Sequence, residues 1–212
     1  MKPTMKQILE ALLAMPYYRN HQASSGAVHN ISEHEDAVKN ILIKHGLSEV
    51  DDHSTKGFRK KRDLWLQDAS KCDMKDGTFI SQPCGTHDSP DFIVKVGGRL
   101  EFLECKSVKG ASKAPMYNSG IPKGEYIYVF TAERYDKTTI YFGRDVCPPE
   151  DYELMQKLIR EHHALDEKYN KQFINQSGIR HYTRPMIKHV GGFDYFTNSS
   201  RTQIEEGVLN AV

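Results

Sequence analysis

Apolar positions along the chain fall into short runs separated by polar, glycine- and proline-marked breaks, and the spacing inside each run predicts its element. Residues 4–15 carry Ile8, Leu9, Leu12 and Leu13 at helical spacing, and Pro16 closes them. A second helix is predicted over 33–45, where Ser32 and Glu35 match a capping box, Val38, Ile41 and Leu42 form a stripe, and Gly46 follows. Residues 64–66 fit either the start of a helix or a short strand, and 78–80 read as a strand. Two further strands are predicted over 126–131 and 138–142, and a basic one over 179–190. Pro148 and Pro149 open a long helix to about residue 173, whose Leu154, Leu158, Ile159 and Leu165 predict a buried stripe packed on the sheet. Residues 202–212 read as a terminal helix.

The strongest local pattern lies between these runs. Residues 92–96 and 99–105 are rich in β-branched, aromatic and aliphatic types, and Gly97-Gly98 between them suits a two-residue primed turn. With that turn Val96 pairs with Arg99, and the same register sets Asp91 directly opposite Glu104. Alternation then puts Lys106 on the face of Glu104, with Leu103 and Cys105 on the other, so one face is expected to be apolar and one chemical. Two opposed carboxylates repel unless a cation joins them, and hard oxygen ligands with room for water are what Mg²⁺ requires. Metal-assisted hydrolysis is the chemistry this predicts. Asp91 and Glu104 are the metal candidates, and the backbone carbonyl of Cys105 is added to them.

Pro90-Asp91, twelve intervening residues, then Glu104-Cys105-Lys106 resembles the signature of the PD-(D/E)xK nuclease superfamily. The resemblance is concentrated between Gln82 and Lys109. It implies an α/β or α+β fold with a mixed central sheet of four to six strands flanked by helices, a restriction-endonuclease-like core. The implied activity is that of a small type II restriction enzyme, a Mg²⁺-dependent, sequence-specific endonuclease of double-stranded DNA that leaves 5′-phosphate ends, with Mn²⁺ as a substitute metal. Asp91 and Glu104 would hold the metal, and Lys106 would orient the attacking water. Many such nucleases add an acid from a helix before the sheet. Glu35 is ranked ahead of Glu33 for that place, although either acid also suits the first turn of a helix. A homodimer is expected on a palindromic target. A repair or recombination endonuclease, or a non-catalytic DNA-binding subunit, fits the same residues.

Charge decides where nucleic acid could be held. Twenty-nine basic and 28 acidic residues leave a net charge of +1, so affinity for a polyanion must come from local patches. Lys56, Arg59, Lys60, Lys61 and Arg62 form the densest basic run, suited to phosphates or simply to a solvated surface. The polar loop after Lys106 supplies Lys109, Lys113, Tyr117, Asn118 and Ser119 as candidate DNA contacts. The 179–190 strand, with Arg180, His181, Arg184, Lys188 and His189, suits either DNA or a solubilised sheet edge. His87 and Asp88 are placed to join the shell around Asp91 or to form a plain turn, and residues 17–30 read as a loop.

The remaining motifs narrow the class. No phosphate-cradling glycine loop occurs, so no nucleotide cofactor is expected, and His29, Asn30 and His34 lie too close together for a His-Asn-His nuclease. The four cysteines show no C-x-x-C pair, as in reduced, cytosolic proteins, and the apolar run 12–15 is too short for a membrane span. A soluble cytoplasmic, intracellular, prokaryotic protein is expected. One domain over 1–212 is predicted, with 1–62 a helical and basic part and 78–190 the catalytic sheet core.

Overall fold

The computed structural model describes residues 3–18, 33–50, 55–85, 88–118, 120–190 and 193–212, without the side chains of residues 33, 55 and 56. In chain order the elements are α1 (Met5–Leu13), α2 (Glu33–Lys44), β1 (Ser48–Glu49), α3 (Thr55–Gln67), β2 (Thr78–Ser81), β3 (Phe92–Val96) and β4 (Arg99–Val108). They continue with β5 (Met116–Tyr117), β6 (Ile127–Ala132), β7 (Lys137–Phe142), α4 (Pro149–Gln176), β8 (Ile187–Lys188) and α5 (Arg201–Ala211). Six strands form one mixed sheet in the order β1-β2-β3-β4-β6-β7, while β5 and β8 pair separately. The β1–β2 and β4–β6 pairs are parallel and the other neighbours antiparallel. The fold is α/β, one of the two classes expected, with a mixed sheet of six strands.

The hairpin at the centre of the sheet follows from its turn. Gly97 and Gly98 both take positive φ, 60° and 78°, which residues with a Cβ rarely adopt. Val96 pairs with Arg99, and the register runs unbroken to Phe92 opposite Leu103. At the first helix Thr4 and Gln7 close a reciprocal capping box.

Both faces of the sheet are apolar, which corrects the expectation of one chemical face. On one side Ile8, Leu9 and Leu12 of α1, Val38 and Leu42 of α2 and Val208 of α5 cover Phe92, Val94, Leu103, Cys105, Ile127 and Val129. On the other, Phe58 and Trp65 of α3, together with Tyr195 and Phe196, cover Ile93, Phe102, Tyr126, Tyr128 and Phe130. The aromatic residues alternating with the aliphatic ones along β4 and β6 supply this second layer. Glu104 and Lys106 are the charged interruption in it.

Other expectations change as well. Residues 55–67 are helical, so Leu64 to Leu66 lie at the end of a helix and start neither a helix nor a strand. The strand ending at Cys105 continues to Val108, pairing Lys106 with Phe130 and Val108 with Ala132 on β6. Finally, α4 buries none of its residues and does not pack on the sheet. Both sheet faces are already covered, which leaves that helix no apolar surface to join. It is held instead by the returning segment after it. Asp166 accepts from the Thr183 N–H at 2.8 Å and faces His181 Nδ1 at 2.8 Å, and Asn170 exchanges two hydrogen bonds with the His181 backbone. Of the strand predicted over 179–190, only Ile187 and Lys188 pair, with β5.

Gly143, after β7, packs against the loop that carries Lys123. A Cβ there would lie 2.0 Å from the Lys123 carbonyl oxygen, a backbone atom. Gly143→Ala is therefore expected to destabilise the fold by about 2–3 kcal/mol, measured by urea denaturation, because the clash can only be relieved by moving main chain.

Candidate active site

The site forms where β3 begins and β4 continues past it. The ladder ends at Phe92 and Leu103, and the Asp91 N–H reaches the Leu103 carbonyl at 3.1 Å. Asp91 thus sits one step outside the pairing, and the direct opposition to Glu104 is not a ladder pair. Its carboxylate instead accepts from the Cys105 N–H at 2.7 Å, which points it along the end of β4. Burial raises its pKa well above the ordinary aspartate range, and the charges of Glu104 and Glu35 push it further.

Glu104 is only 8 % exposed. Its Oε1 accepts from Lys106 Nζ at 2.6 Å, whereas its Oε2 is buried with no hydrogen-bond partner among the described residues. Leaving a buried carboxylate oxygen unmatched costs on the order of 1–3 kcal/mol, and more for a charge. Such an atom calls for a cation or a further donor. Burial works against the charge on Lys106, but Glu104 and Asp91 hold its pKa above the ordinary lysine value, so it stays protonated.

The helix acid comes from α2. Glu35, in its first turn, accepts from Gln82 Nε2 at 2.6 Å, and its charge raises both Asp91 and Glu104. The structure therefore brings Glu35 to the site; the side chain of Glu33, and Ser32, lie outside the described residues. Gln82 is a site residue that the sequence pattern does not single out. It holds a left-handed φ of 46°, donates its backbone N–H to the Asp91 carbonyl at 2.7 Å, and links that residue to Glu35. A non-glycine residue in that conformation costs about 1 kcal/mol or more, and such strain clusters at functional sites. The adjoining Pro83 and Gly85 mark only a loop in the sequence.

His34 lies beneath this cluster as a neutral group. Its Nε2 faces the Val129 carbonyl at 3.0 Å, its Nδ1 has no partner among the described residues, and the Tyr18 ring stacks on it at 5.6 Å. Burial pushes its pKa down to about 4.

Part of the basic run is engaged within the chain. Arg62 Nη1 donates to the Ser89 carbonyl at 2.7 Å and to Asp88 at 3.2 Å, and Arg59 pairs with Asp88 at 2.6 Å. Lys61 pairs with Asp73 at 3.2 Å and lies over the Phe58 and Trp65 rings. These contacts tie α3 to the loop leading into Asp91, because the helix turns Arg62 inward while Lys60 stays exposed. The side chain of Lys56 lies outside the described residues, as does His87; Asp88 is the partner of the two arginines.

In the loop after β4, Tyr117 is buried and hydrogen-bonded to Tyr141 at 2.9 Å and Tyr195 at 2.7 Å, so it forms the floor of the site and not a base contact. Lys113 lies 3.6 Å from Asp194, Lys109 is exposed, and the Asn118 carbonyl accepts from Arg184 at 2.6 Å. Ser119 lies outside the described residues, as do His29, Asn30, Gly191 and Gly192.

A cleft of about 740 Å³ opens beside the cluster, lined by Arg59, Lys123, Arg160, His163, Tyr182 and Arg184 among others. Glu104 and Lys106 open into a smaller hollow that shares Gly120, Ile121 and Lys123 with it. Arg184 belongs to the basic segment noted in the sequence. Lys123 and Arg160 are isolated in the sequence, and only the tertiary structure gathers them.

No protein-family model matches the chain, and neither the curated proteins nor the solved structures give a match. Among the described residues no helix is long and apolar enough to cross a membrane, and all four cysteines are free.

The buried His34 predicts an acid-labile step. Its folded pKa, near 4, lies below the ordinary value of 6.5, so the unfolded chain takes up the proton first as pH falls. The contribution is complete above about pH 6.5 and is lost on the way down to pH 4, amounting to about 3 kcal/mol. Urea denaturation of the wild type and His34→Gln across that window is expected to show the step in the wild type alone.

Proposed function

We propose that the chain is a Mg²⁺-dependent endonuclease of double-stranded DNA, most like the small type II restriction enzymes, acting as a homodimer in a prokaryotic cytoplasm. The observation that carries this reading is the buried Glu104 Oε2 beside Asp91, unpaired among the described residues, with Lys106 bonded to the same carboxylate and the group opening towards a basic cleft. Sequence specificity and 5′-phosphate products come from the PD-(D/E)xK resemblance.

The donors fit a hard divalent cation. Among the described residues no cluster of three or more His, Cys, Asp or Glu side chains is arranged to enclose a metal. Mg²⁺ needs no such cage, since one or two carboxylates with water and phosphate oxygens complete its shell. Asp91 and Glu104, with the Cys105 carbonyl, would hold it, and Mn²⁺ would substitute. When bound, the ion supplies Lewis-acid polarisation of the phosphate and an acidified water.

The chain's own residues supply the rest. Lys106, kept protonated by Glu104 and Asp91, sets positive charge where the scissile phosphate gains negative charge and orients the attacking water. Glu35 and Gln82 hold the mouth of the site from the α2 side. Arg59, Lys123, Arg160 and Arg184 neutralise backbone phosphates along the cleft.

Asp91→Ala, Glu104→Ala and Lys106→Ala are each expected to lower cleavage about 10²–10³-fold while DNA binding persists. Incubation with unmethylated phage DNA, with and without Mg²⁺, followed by sequencing of the fragment ends, checks this. Undiminished cleavage by any variant removes that residue from the site, and cleavage confined to branched or mismatched duplexes points to a repair enzyme.

Replacing Lys123, Arg160 or Arg184 by Ala is expected to weaken DNA binding without changing its sequence preference. The slope of log K against log salt should shrink by about 0.9 for each phosphate that is no longer neutralised. Titration at several salt concentrations measures it.

A further inference from the structure

α4 has two faces in different surroundings. Gln156, Ile159, Arg160 and His163 line the cleft. The opposite face carries Leu154, Leu158, His162, Leu165, Tyr169 and Phe173 on successive turns. Its five apolar members are 65, 51, 54, 44 and 38 % exposed in chain order. A row of large apolar side chains left in water marks a surface made to be covered.

The row has a symmetry that identifies its cover. Its spacings, 4, 4, 3, 4 and 4 residues, read the same in both directions. A second α4 laid antiparallel, about a point between His163 and Ala164, sets Leu154 against Phe173, Leu158 against Tyr169 and His162 against Leu165, each twice. Shape agrees with this register. A cavity of about 380 Å³ lies along the C-terminal half of the row, lined by His162, Leu165, Tyr169 and Phe173 with part of the returning segment. The N-terminal half projects Leu154 and Leu158, so each copy offers a ridge to the groove of the other.

Charge selects the same direction. Along one edge of the row lie Glu161, now 4.0 Å from Lys157, and Lys168, which sits over the Tyr169 ring. Antiparallel packing brings Glu161 beside the partner's Lys168 on both sides of the axis.

We propose that α4 is a dimerisation arm, through which two copies of the chain pair isologously by this row. The row from residue 154 to 173 is ~29 Å long, enough for a continuous two-helix seam. The cleft faces away from the seam, so both clefts stay open. The pairing stands on the arm alone; its use in cutting two strands rests on the nuclease reading.

Sedimentation equilibrium of the full chain tests it. The wild type is expected to be a dimer at low micromolar concentration. Leu158→Asp should weaken the dimer about a hundredfold, and Glu161→Lys about tenfold. Combining Glu161→Lys with Lys168→Glu should restore wild-type affinity, because the pairs are then exchanged and not broken. Circular dichroism of each variant should match the wild type, since the replaced side chains are exposed. A wild type that stays monomeric at about 100 µM, a dimer that Leu158→Asp leaves intact, or a charge swap that fails to restore it overturns the proposal. A dimer that cuts no DNA removes the nuclease reading and keeps the arm, whereas an active monomer removes the arm alone.

Discussion

Burying Glu104 and Lys106 within a sheet that is apolar on both faces is the constraint on which the rest of the structure depends. The 2.6 Å bond between them satisfies one carboxylate oxygen and keeps the ammonium charged, but it leaves the second oxygen unmatched among the described residues. Hydrophobic burial on either side holds the pair in place, since Phe102 and Tyr128 flank it in one layer and Leu103 and Cys105 anchor the same strand in the other. An exposed pair of this kind would be solvated and interchangeable with water. Here the protein has replaced water with a fixed, incompletely satisfied group, which is the preparation a cation site needs.

The elements around the pair act as props. Arg62 reaches from α3 to the Ser89 carbonyl and Asp88, fixing the loop before Asp91. Gln82, in a strained conformation, holds the Asp91 main chain from one side and Glu35 from the other. The tyrosines at 117, 141 and 195 form a hydrogen-bonded floor in which each phenol has a partner. With so many contacts converging on one strand end, the basic run behaves as a brace for the site. Apart from Arg59, the cations that line the cleft come from elsewhere, from Lys123, Arg160 and Arg184. In the same way α4, displaced from the sheet because both faces were already filled, turns one face to the cleft and leaves the apolar row on the other exposed.

Much of the site is legible in the chain because its logic is local. Gly97-Gly98 dictates a tight turn, the turn dictates register, and register with a period of two brings Glu104 and Lys106 together. Glu35 stands out by its place in a first helical turn, and the fold carries it to Asp91. The misreadings share one physical origin. A stripe at helical spacing states that a helix is amphipathic, not which surface covers it, so Leu154, Leu158 and Leu165 pointed to a sheet that had no face to spare. Tyr117 looks like a polar loop residue because its hydroxyl partners lie 24 and 78 residues away.

By itself, the sequence determined what depends on a few neighbours in the chain: the start of the first helix, the hairpin and its turn, and the alternation that sets Glu104 and Lys106 on one side of β4. Turn geometry and side-chain period are properties of a few consecutive residues, and no tertiary contact reversed them. Only the tertiary structure decided which charges are buried, which are paired and which remain open. Those outcomes depend on desolvation and on partners distant in sequence, such as Arg62 against Ser89, Gln82 against Glu35, and Glu104 with no partner among the described residues for its second oxygen.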